Sequence, residues 1–282
     1  MNQRHAPSPL PLLLDTAGTR DLARQVRAHV LAMVHKANAS HVGSCFSMAD
    51  MLAVLYGTIL RVDPALPDHP LRDRLVVSKG HAAAAIYAVL AERGFFDRAE
   101  LDRFCVNGSP LTGHVSHLVA GVEFSTGSLG HGLSLAAGLA LSARIDQAPW
   151  RSFALLSDGE CDEGSIWEAA LFAGHHRLAN LTALVDCNGI QSFGRVSEVL
   201  KLEPFADKWR SFGWTVRDID GHDHQALRAA LLDPPADAPC VLLCRTIKGK
   251  GVSFMEDNLA WHYKSPNPDQ LVAALAELER AR

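Results

Sequence analysis

The chain has 282 residues, of which 27 are Lys or Arg and 31 are Asp or Glu, so its formal net charge at pH 7 is −4. Such a mildly acidic chain, with no basic stripe, gives no support to nucleic-acid binding. A hydrophobic content of 48% with 21% charged residues excludes a disordered chain. The six cysteines are scattered without a CxxC pair, which favours a reduced, cytoplasmic protein over a zinc ribbon or a disulfide framework.

The first residues predict a loose N-terminal tail over 1–18, followed by one domain over 19–282. The apolar stretch 10–14 is too short for the core of a signal peptide, because Asp15 follows it at once. The stretch 124–143 contains no Asp, Glu, Lys or Arg, but its four glycines favour a glycine-rich loop that leads into a buried helix. We therefore expect no membrane segment.

Strands and helices alternate along the rest of the chain. Helices are predicted over 20–39, 48–60, 164–178, 225–232 and 269–279, with an Ala-rich helix that ends at 92. Strands are predicted over 74–78, 152–156, 181–185, 215–219 and 241–244. This alternation predicts an α/β fold in which a parallel β-sheet carries helices on both faces. Because ligands of such folds bind beyond the carboxyl ends of the strands, the polar residues there are the first candidates for chemistry.

Two of these strand ends carry oxygen ligands that suit a divalent cation. Asp158 follows one strand, and Asn188 follows the next strand thirty positions later. Together with a loop carbonyl such as that of Ile190, they form a set of hard oxygen donors for Mg²⁺ or Ca²⁺. Gly159 would let the backbone approach a phosphate closely. The alternative is that Asp-Gly and Asn-Gly are ordinary turns, since both dipeptides favour turns.

An ordered series of motifs bears on these alternatives. The segments SDGECDEGSIWEA at 157–169 and LVDCNG at 184–189 resemble the thiamine-diphosphate motif of the transketolase family. Further blocks match this family in the same order, and they are SHVGS at 40–44, VSKGHA at 77–82, GH at 113–114, GVEFSTGSLGHG at 121–132, KGKG at 248–251 and WH at 261–262. The resemblance extends over nearly the whole chain from about residue 19. It implies the thiamine-diphosphate-binding fold, and within it the diphosphate-binding domain.

The resemblance also implies a role for particular residues. Asp158 and Asn188 would ligate Mg²⁺ through their side chains and Ile190 through its carbonyl oxygen, while Gly159 would face the diphosphate. The remaining cofactor contacts would come from His81, His262, Gly127, Ser128 and Leu129, of which Gly127 and Leu129 would face the aminopyrimidine ring. The catalytic residues would be His41, His81, His114 and His262, which bind sugar hydroxyls or move protons, and Glu163 at the interface between two thiamine sites.

The sequence departs from the family pattern at three positions. The first glycine of the usual GDG is Ser157, and a proline and a glutamine of the glycine-rich loop are Ser128 and His131. The Lys248–Gly251 loop is open to two interpretations, because it is either a solvated turn or a cationic contact for the cofactor or a sugar phosphate. His222 and His224 lack the further ligands that a zinc site requires.

These implications predict the first subunit of a two-chain transketolase, which transfers a two-carbon ketol unit from a ketose phosphate to an aldose phosphate. The glutamate that activates thiamine diphosphate lies in the family's pyrimidine-binding domain, for which the chain has no room before Arg282. A second subunit with the pyrimidine-binding and C-terminal domains is therefore expected, in a heterotetramer. The alternatives are the α subunit of a 2-oxo acid dehydrogenase and a non-catalytic thiamine-diphosphate-binding subunit.

Overall fold

A computed structural model describes residues 13–280 of the chain. The α-helices are α1 Thr16–Ala37, α2 Val42–Ser47, α3 Ala49–Val54, α4 Ala83–Glu92, α5 Gly132–Ile145, α6 Gly164–His175, α7 Val196–Val199, α8 Phe205–Ser211, α9 His224–Leu232 and α10 Pro268–Arg280. The strands are β1 Arg74–Val77, β2 Ser152–Ser157, β3 Leu181–Cys187, β4 Ile190–Gln191, β5 Gly194–Arg195, β6 Thr215–Asp220 and β7 Cys240–Arg245.

Five of the strands form one parallel sheet in the order β1-β2-β3-β7-β6. Its alternating residues supply two separate hydrophobic cores, as the period of two along a strand requires. Phe153 and Leu155 pack with α1, α3 and α4 on one face, whereas Ala154 and Leu156 pack with α5 and α6 on the other. The prediction of an α/β fold with helices on both faces of a parallel sheet is confirmed.

The first helix begins earlier than the sequence pattern predicts. The side chain of Asp15 accepts a hydrogen bond from the Gly18 N–H at 2.7 Å, so the helix starts at Thr16. Thr19, directly before the predicted start at residue 20, lies inside the helix, where its buried hydroxyl donates to the carbonyl of Thr16 at 3.0 Å. Residues 1–12 of the predicted tail lie outside the described residues.

The loops at the carboxyl end of the sheet lie together on one side of the molecule. They follow β1, β2, β3 and β7, and the antiparallel hairpin β4–β5 comes directly after β3. The glycine-rich stretch 124–143 is a loop that leads into α5, as predicted. One face of α5 is buried, and the helix packs against β2. None of the described helices is long and apolar enough to span a bilayer.

Two helical glycines offer a matched test of this packing. A Cβ at Gly174 in α6 would lie 1.8 Å from the carbonyl oxygen of Phe212, whereas a Cβ at Gly138 in α5 would meet no atom within 4 Å. We predict that Gly174→Ala lowers the free energy of unfolding by about 1–3 kcal/mol, because the close approach of the two elements is lost. Gly138→Ala should raise it by about 0.5–1 kcal/mol, since alanine reduces the backbone entropy of the unfolded chain. Urea denaturation of both variants measures the difference, and equal effects would contradict this account.

Candidate active site

Four histidines from distant parts of the chain meet at the carboxyl edge of the sheet. The ring centroid of His41 lies 5.0 Å from that of His81, 5.2 Å from that of His262 and 6.3 Å from that of His114. His41 adopts a left-handed backbone conformation with φ of 73° immediately before α2, and its N–H donates to the carbonyl of His262 at 2.9 Å. The backbone of the two segments thus fixes the spacing of the cluster.

Three of these imidazoles are held in the neutral form. Burial and the nearby His114 and Lys248 lower the pKa of His41 to about 4. Burial and Lys248 lower the pKa of His262 to about 3, and burial together with Lys79 places the pKa of His81 well below its ordinary value. At neutral pH these rings therefore act as hydrogen-bond donors and acceptors and do not contribute positive charge.

Lys248 is a buried part of the site and not a solvated turn. Its Nζ donates to the carbonyl oxygen of Ile190 at 2.9 Å and to Nδ1 of His262 at 2.8 Å. Burial and the charge of Lys79 lower the pKa of Lys248 to about 8. Because a charged amine can only donate, Nδ1 of His262 accepts, and the ring proton sits on Nε2.

The predicted cation ligands lie beside the histidines. Asp158 is buried, and its two carboxylate oxygens accept the N–H groups of Gly159 at 2.8 Å and Gly189 at 2.7 Å. Burial and the neighbouring carboxylate of Asp186 raise the pKa of Asp158 to about 6. Both hydrogen-bond donors to Asp158 are neutral backbone N–H groups. A divalent cation would therefore complement the carboxylate.

Asn188 is oriented by polar neighbours on both sides of its amide. Its Nδ2 donates to Asp186 at 3.0 Å and to Ser47 at 3.2 Å, and its Oδ1 accepts the N–H of Ile190 at 3.2 Å. The donor set of Asp158, Asn188 and the Ile190 carbonyl consists of hard oxygens, and it fits Mg²⁺ or Ca²⁺. Within residues 13–280, no group of three or more His, Cys, Asp and Glu residues is placed to hold a metal ion, so this fit depends on amide and carbonyl oxygens.

Most of the predicted site residues share one cleft of about 270 Å³. The residues that line it include His41, His81, His114, His262, Gly127, Leu129, Asp158, Gly159, Asn188 and Ile190. Ser128 is exposed in an adjoining groove with His131 and Leu135. Glu163 is exposed at the start of α6, outside the cleft, where it packs against Gly130 of the glycine-rich loop.

Comparison with known proteins decides the family. Residues 19–276 match the family described as the thiamine diphosphate binding domain of transketolase. The chain belongs to this family. It is 42% identical over 261 residues to the 6-deoxy-6-sulfo-D-fructose transketolase subunit SqwG of Clostridium sp. (strain MSTE9), and the match covers 92% of the chain and 95% of that subunit.

Further relatives have the same extent or are longer proteins. One of the subunits of the apulose-4-phosphate transketolase of Phocaeicola vulgatus is 39% identical, with 89% of the chain and 90% of that relative covered. The crystal structure of transketolase from Campylobacter jejuni superposes with a TM-score of 0.89 at 30% identity, over 94% of this chain and 43% of that one. The prediction that the chain is the first subunit of a two-chain transketolase is confirmed, and the 2-oxo acid dehydrogenase alternative is not favoured.

A buried ion pair behind the transketolase cleft was not predicted from the sequence. Lys79 follows β1 and donates to Asp186 near the end of β3, and both side chains are fully buried. Asp186 also accepts from the hydroxyls of Ser47 and Thr246 and from Asn188. Although burial alone would raise the pKa of Asp186, Lys79 and the two hydroxyl groups lower it. The signal in the sequence is a charged residue within the mostly apolar strand β3, because a buried charge requires a partner.

Glu160 is a third buried polar residue of the site that the sequence pattern did not single out. It is fully buried and accepts from the hydroxyl of Ser78, from the N–H of Gly130 at 2.9 Å and from the N–H of Ser157 at 3.2 Å. Burial raises its pKa. Its carboxyl group thereby joins the ends of β1 and β2 to the glycine-rich loop that lines the cleft.

The ion pair leads to a stability prediction. Lys79→Met should lower the free energy of unfolding by about 3–5 kcal/mol, because it leaves the charge of Asp186 buried without a cation. The double variant Lys79→Met/Asp186→Asn should recover at least about 1 kcal/mol of this loss, since it removes the uncompensated charge. Denaturant unfolding of the four chains in this cycle measures the coupling. Strictly additive effects would show that the pair does not act as a unit.

Proposed function

We propose that the cleft binds the diphosphate end of thiamine diphosphate together with Mg²⁺ or Ca²⁺, and that the chain contributes half of a transketolase site. The observation that carries this proposal is the juxtaposition of the hard-oxygen group around Asp158 and Asn188 with a histidine cluster in which three rings are neutral. The first suits a cation bound to phosphate, and the second suits the uncharged hydroxyl groups of a sugar. When bound, thiamine diphosphate supplies a nucleophilic carbon that carries a two-carbon unit between sugars.

The residues of the chain have separate tasks in this proposal. Asp158, Asn188 and the carbonyl of Ile190 hold the cation, and the backbone at Gly159 faces the diphosphate. His81 and His262 contact the diphosphate and the reaction centre, because they adjoin this oxygen group in the cleft. Gly127 and Leu129 would face the aminopyrimidine ring and Ser128 would also contact the cofactor, while Glu163 contacts the second subunit.

Neutral imidazoles suit the proton transfers that ketol transfer demands. A neutral ring presents one N–H donor and one acceptor, so it can give a proton to a sugar oxygen and take one from a hydroxyl. His41 and His114 line the substrate channel in this proposal. The Nε2 proton of His262 is available for donation into the cleft, because its Nδ1 is held by Lys248. Charged imidazoles would lack the acceptor.

The second subunit would supply the activating glutamate and recognise the anionic end of the sugar. Among the described residues that line the cleft, Lys248 is the only Lys or Arg, and it already binds Ile190 and His262. The relatives are named for 6-deoxy-6-sulfo-D-fructose and for apulose-4-phosphate, so subunits of this kind accompany different anionic groups. We propose sugar phosphates of the pentose-phosphate type as substrates, in a cytoplasmic heterotetramer.

A reconstitution experiment tests this function. The chain and a partner subunit that carries the pyrimidine-binding and C-terminal domains are purified separately and mixed with thiamine diphosphate and Mg²⁺. We expect transfer of a two-carbon unit from a ketose phosphate to an aldose phosphate by the mixture and none by the chain alone. Oxidation of a 2-oxo acid without ketol transfer, or full ketol transfer by the chain alone, would overturn the proposal.

The oxygen group is tested by a substitution at its carboxylate. Asp158→Asn removes the negative charge with little change in shape, so Mg²⁺-dependent binding of thiamine diphosphate to the assembled complex should weaken by at least about tenfold. Titration calorimetry measures the affinity, and ketol transfer should fall with it. Asp218→Asn is the control, because Asp218 is an exposed partner of Arg245 outside the cleft. Unchanged binding and full turnover of Asp158→Asn would show that the carboxylate is not part of the cofactor site.

A further inference from the structure

A second buried polar cluster lies behind the active-site loops and is centred on Asp50. Arg27 donates to its carboxylate at 2.6 and 3.2 Å, His222 through Nδ1 at 2.7 Å and His224 through Nε2 at 3.0 Å. Although burial alone would raise the pKa of Asp50, the Arg27 guanidinium and the two histidine hydrogen bonds hold it well below its ordinary value. The carboxylate is therefore a permanently ionised acceptor.

His222 is the member of this cluster that extends to the active site. Its Nδ1 faces Asp50, and its Nε2 accepts the backbone N–H of Ile247 at 2.9 Å. Because the amide can only donate, Nε2 carries no proton and the ring donates to Asp50 through Nδ1–H. The ring is thus held in one tautomer between a fixed anion and one peptide group of the loop that follows β7.

Ile247 is the residue directly before Lys248, whose amine bonds to two residues that line the cleft. The same loop is tied to the start of α2 by the Gly249 N–H, which donates to the carbonyl of Gly43 at 3.1 Å. Lys248 in turn donates to the Ile190 carbonyl and to Nδ1 of His262. A continuous chain of hydrogen bonds and one covalent step therefore connects Asp50 to the imidazole of His262.

We propose that His222 is a positioning residue of the transketolase site, which places Lys248 through the Ile247 N–H and so fixes the orientation and tautomer of His262. This inference rests on the proposed role of His262 in the reaction. His222 itself lies outside the residues that line the cleft, so it touches neither substrate nor cofactor. Its effect is transmitted by the loop alone.

His224 provides a comparison within the same cluster. It also donates to Asp50, but its Nδ1 bonds to the hydroxyl of Thr19 in α1 at 2.9 Å. It has the same carboxylate partner as His222 and no hydrogen bond to the loop after β7. A role that consists only of neutralising Asp50 would make the two histidines equivalent, whereas a positioning role distinguishes them.

Two substitutions at His222 separate these roles. Asn places an N–H donor where Nδ1 stood and keeps the bond to Asp50, but it leaves the Ile247 N–H without an acceptor. Gln reaches the position of Nε2 with its amide oxygen, so it keeps the bond to Ile247 and gives up the bond to Asp50. We expect His222→Asn to lower the kcat of the reconstituted complex by at least about tenfold, as small displacements of catalytic groups do, and His222→Gln to stay within about threefold of the wild type.

The control is a substitution at the other histidine, since His224→Asn should lower the melting temperature with kcat unchanged. If His222→Gln loses as much kcat as His222→Asn, or if His222→Asn retains full kcat, the positioning role is overturned. Loss of folded chain in both His222 variants, seen by circular dichroism, together with unchanged kcat of the folded fraction, would assign the residue to stability alone and also overturn it.

An NMR measurement of the His262 tautomer does not depend on turnover. It therefore tests the role of His222 separately from the proposed function. In [15N]histidine-labelled full-length chain, the ring signals of His262 are assigned by their loss in His262→Gln. We expect the Nε2–H tautomer in the wild type and in His222→Gln, and a shift towards mixed tautomers in His222→Asn. Unchanged tautomer signals in His222→Asn would overturn the inference even if the complex is an active transketolase. The expected shift would support it even if the substrates differ from those proposed.

Discussion

The buried ion pair between Lys79 and Asp186 is the interaction on which the active-site geometry depends. It joins the ends of two strands that are not neighbours in the sheet, and Asp186 extends the connection to Ser47 in α2 and to Thr246 after β7. Two charges with no exposed surface are stable only when each is paired and its remaining hydrogen bonds are made. Satisfying the hydrogen bonds of Asp186 therefore holds four separate segments in one arrangement, and the side chain of Asn188 is oriented as part of it.

The positive charges of this region determine the state of the histidines. Lys79 and Lys248 are both buried, and each disfavours a further positive charge nearby. Burial acts in the same direction, so both effects keep the imidazoles of His81 and His262 neutral. The rings of His41, His81 and His262 can therefore lie close together without charge repulsion. The same lysines that build the site thus leave an acceptor nitrogen on each of these rings at neutral pH.

The sequence predicted the sheet better than the polar interior of the site. Strands β1, β2, β3 and β7 are short, apolar and bounded by turn residues, so periodicity and composition were sufficient to find them. The hairpin β4–β5 was missed because strands of two residues have no period. Ordered motifs placed ten of the predicted site residues in the cleft, but nothing local in the sequence pairs Lys79 with a carboxylate 107 positions away.

The buried carboxylates of Asp186 and Asp50 anchor different residues of the loop after β7. Asp186 holds its first residue through the hydroxyl of Thr246, and Asp50 holds the next through His222 and the Ile247 N–H. Successive residues of one loop are therefore anchored to anions that belong to different parts of the core. A loop fixed at two adjacent points cannot rotate about either one, and the following side chain, Lys248, has a defined direction. The loop has a defined conformation without regular secondary structure, because hydrogen bonds to two buried, charge-paired carboxylates hold it in place.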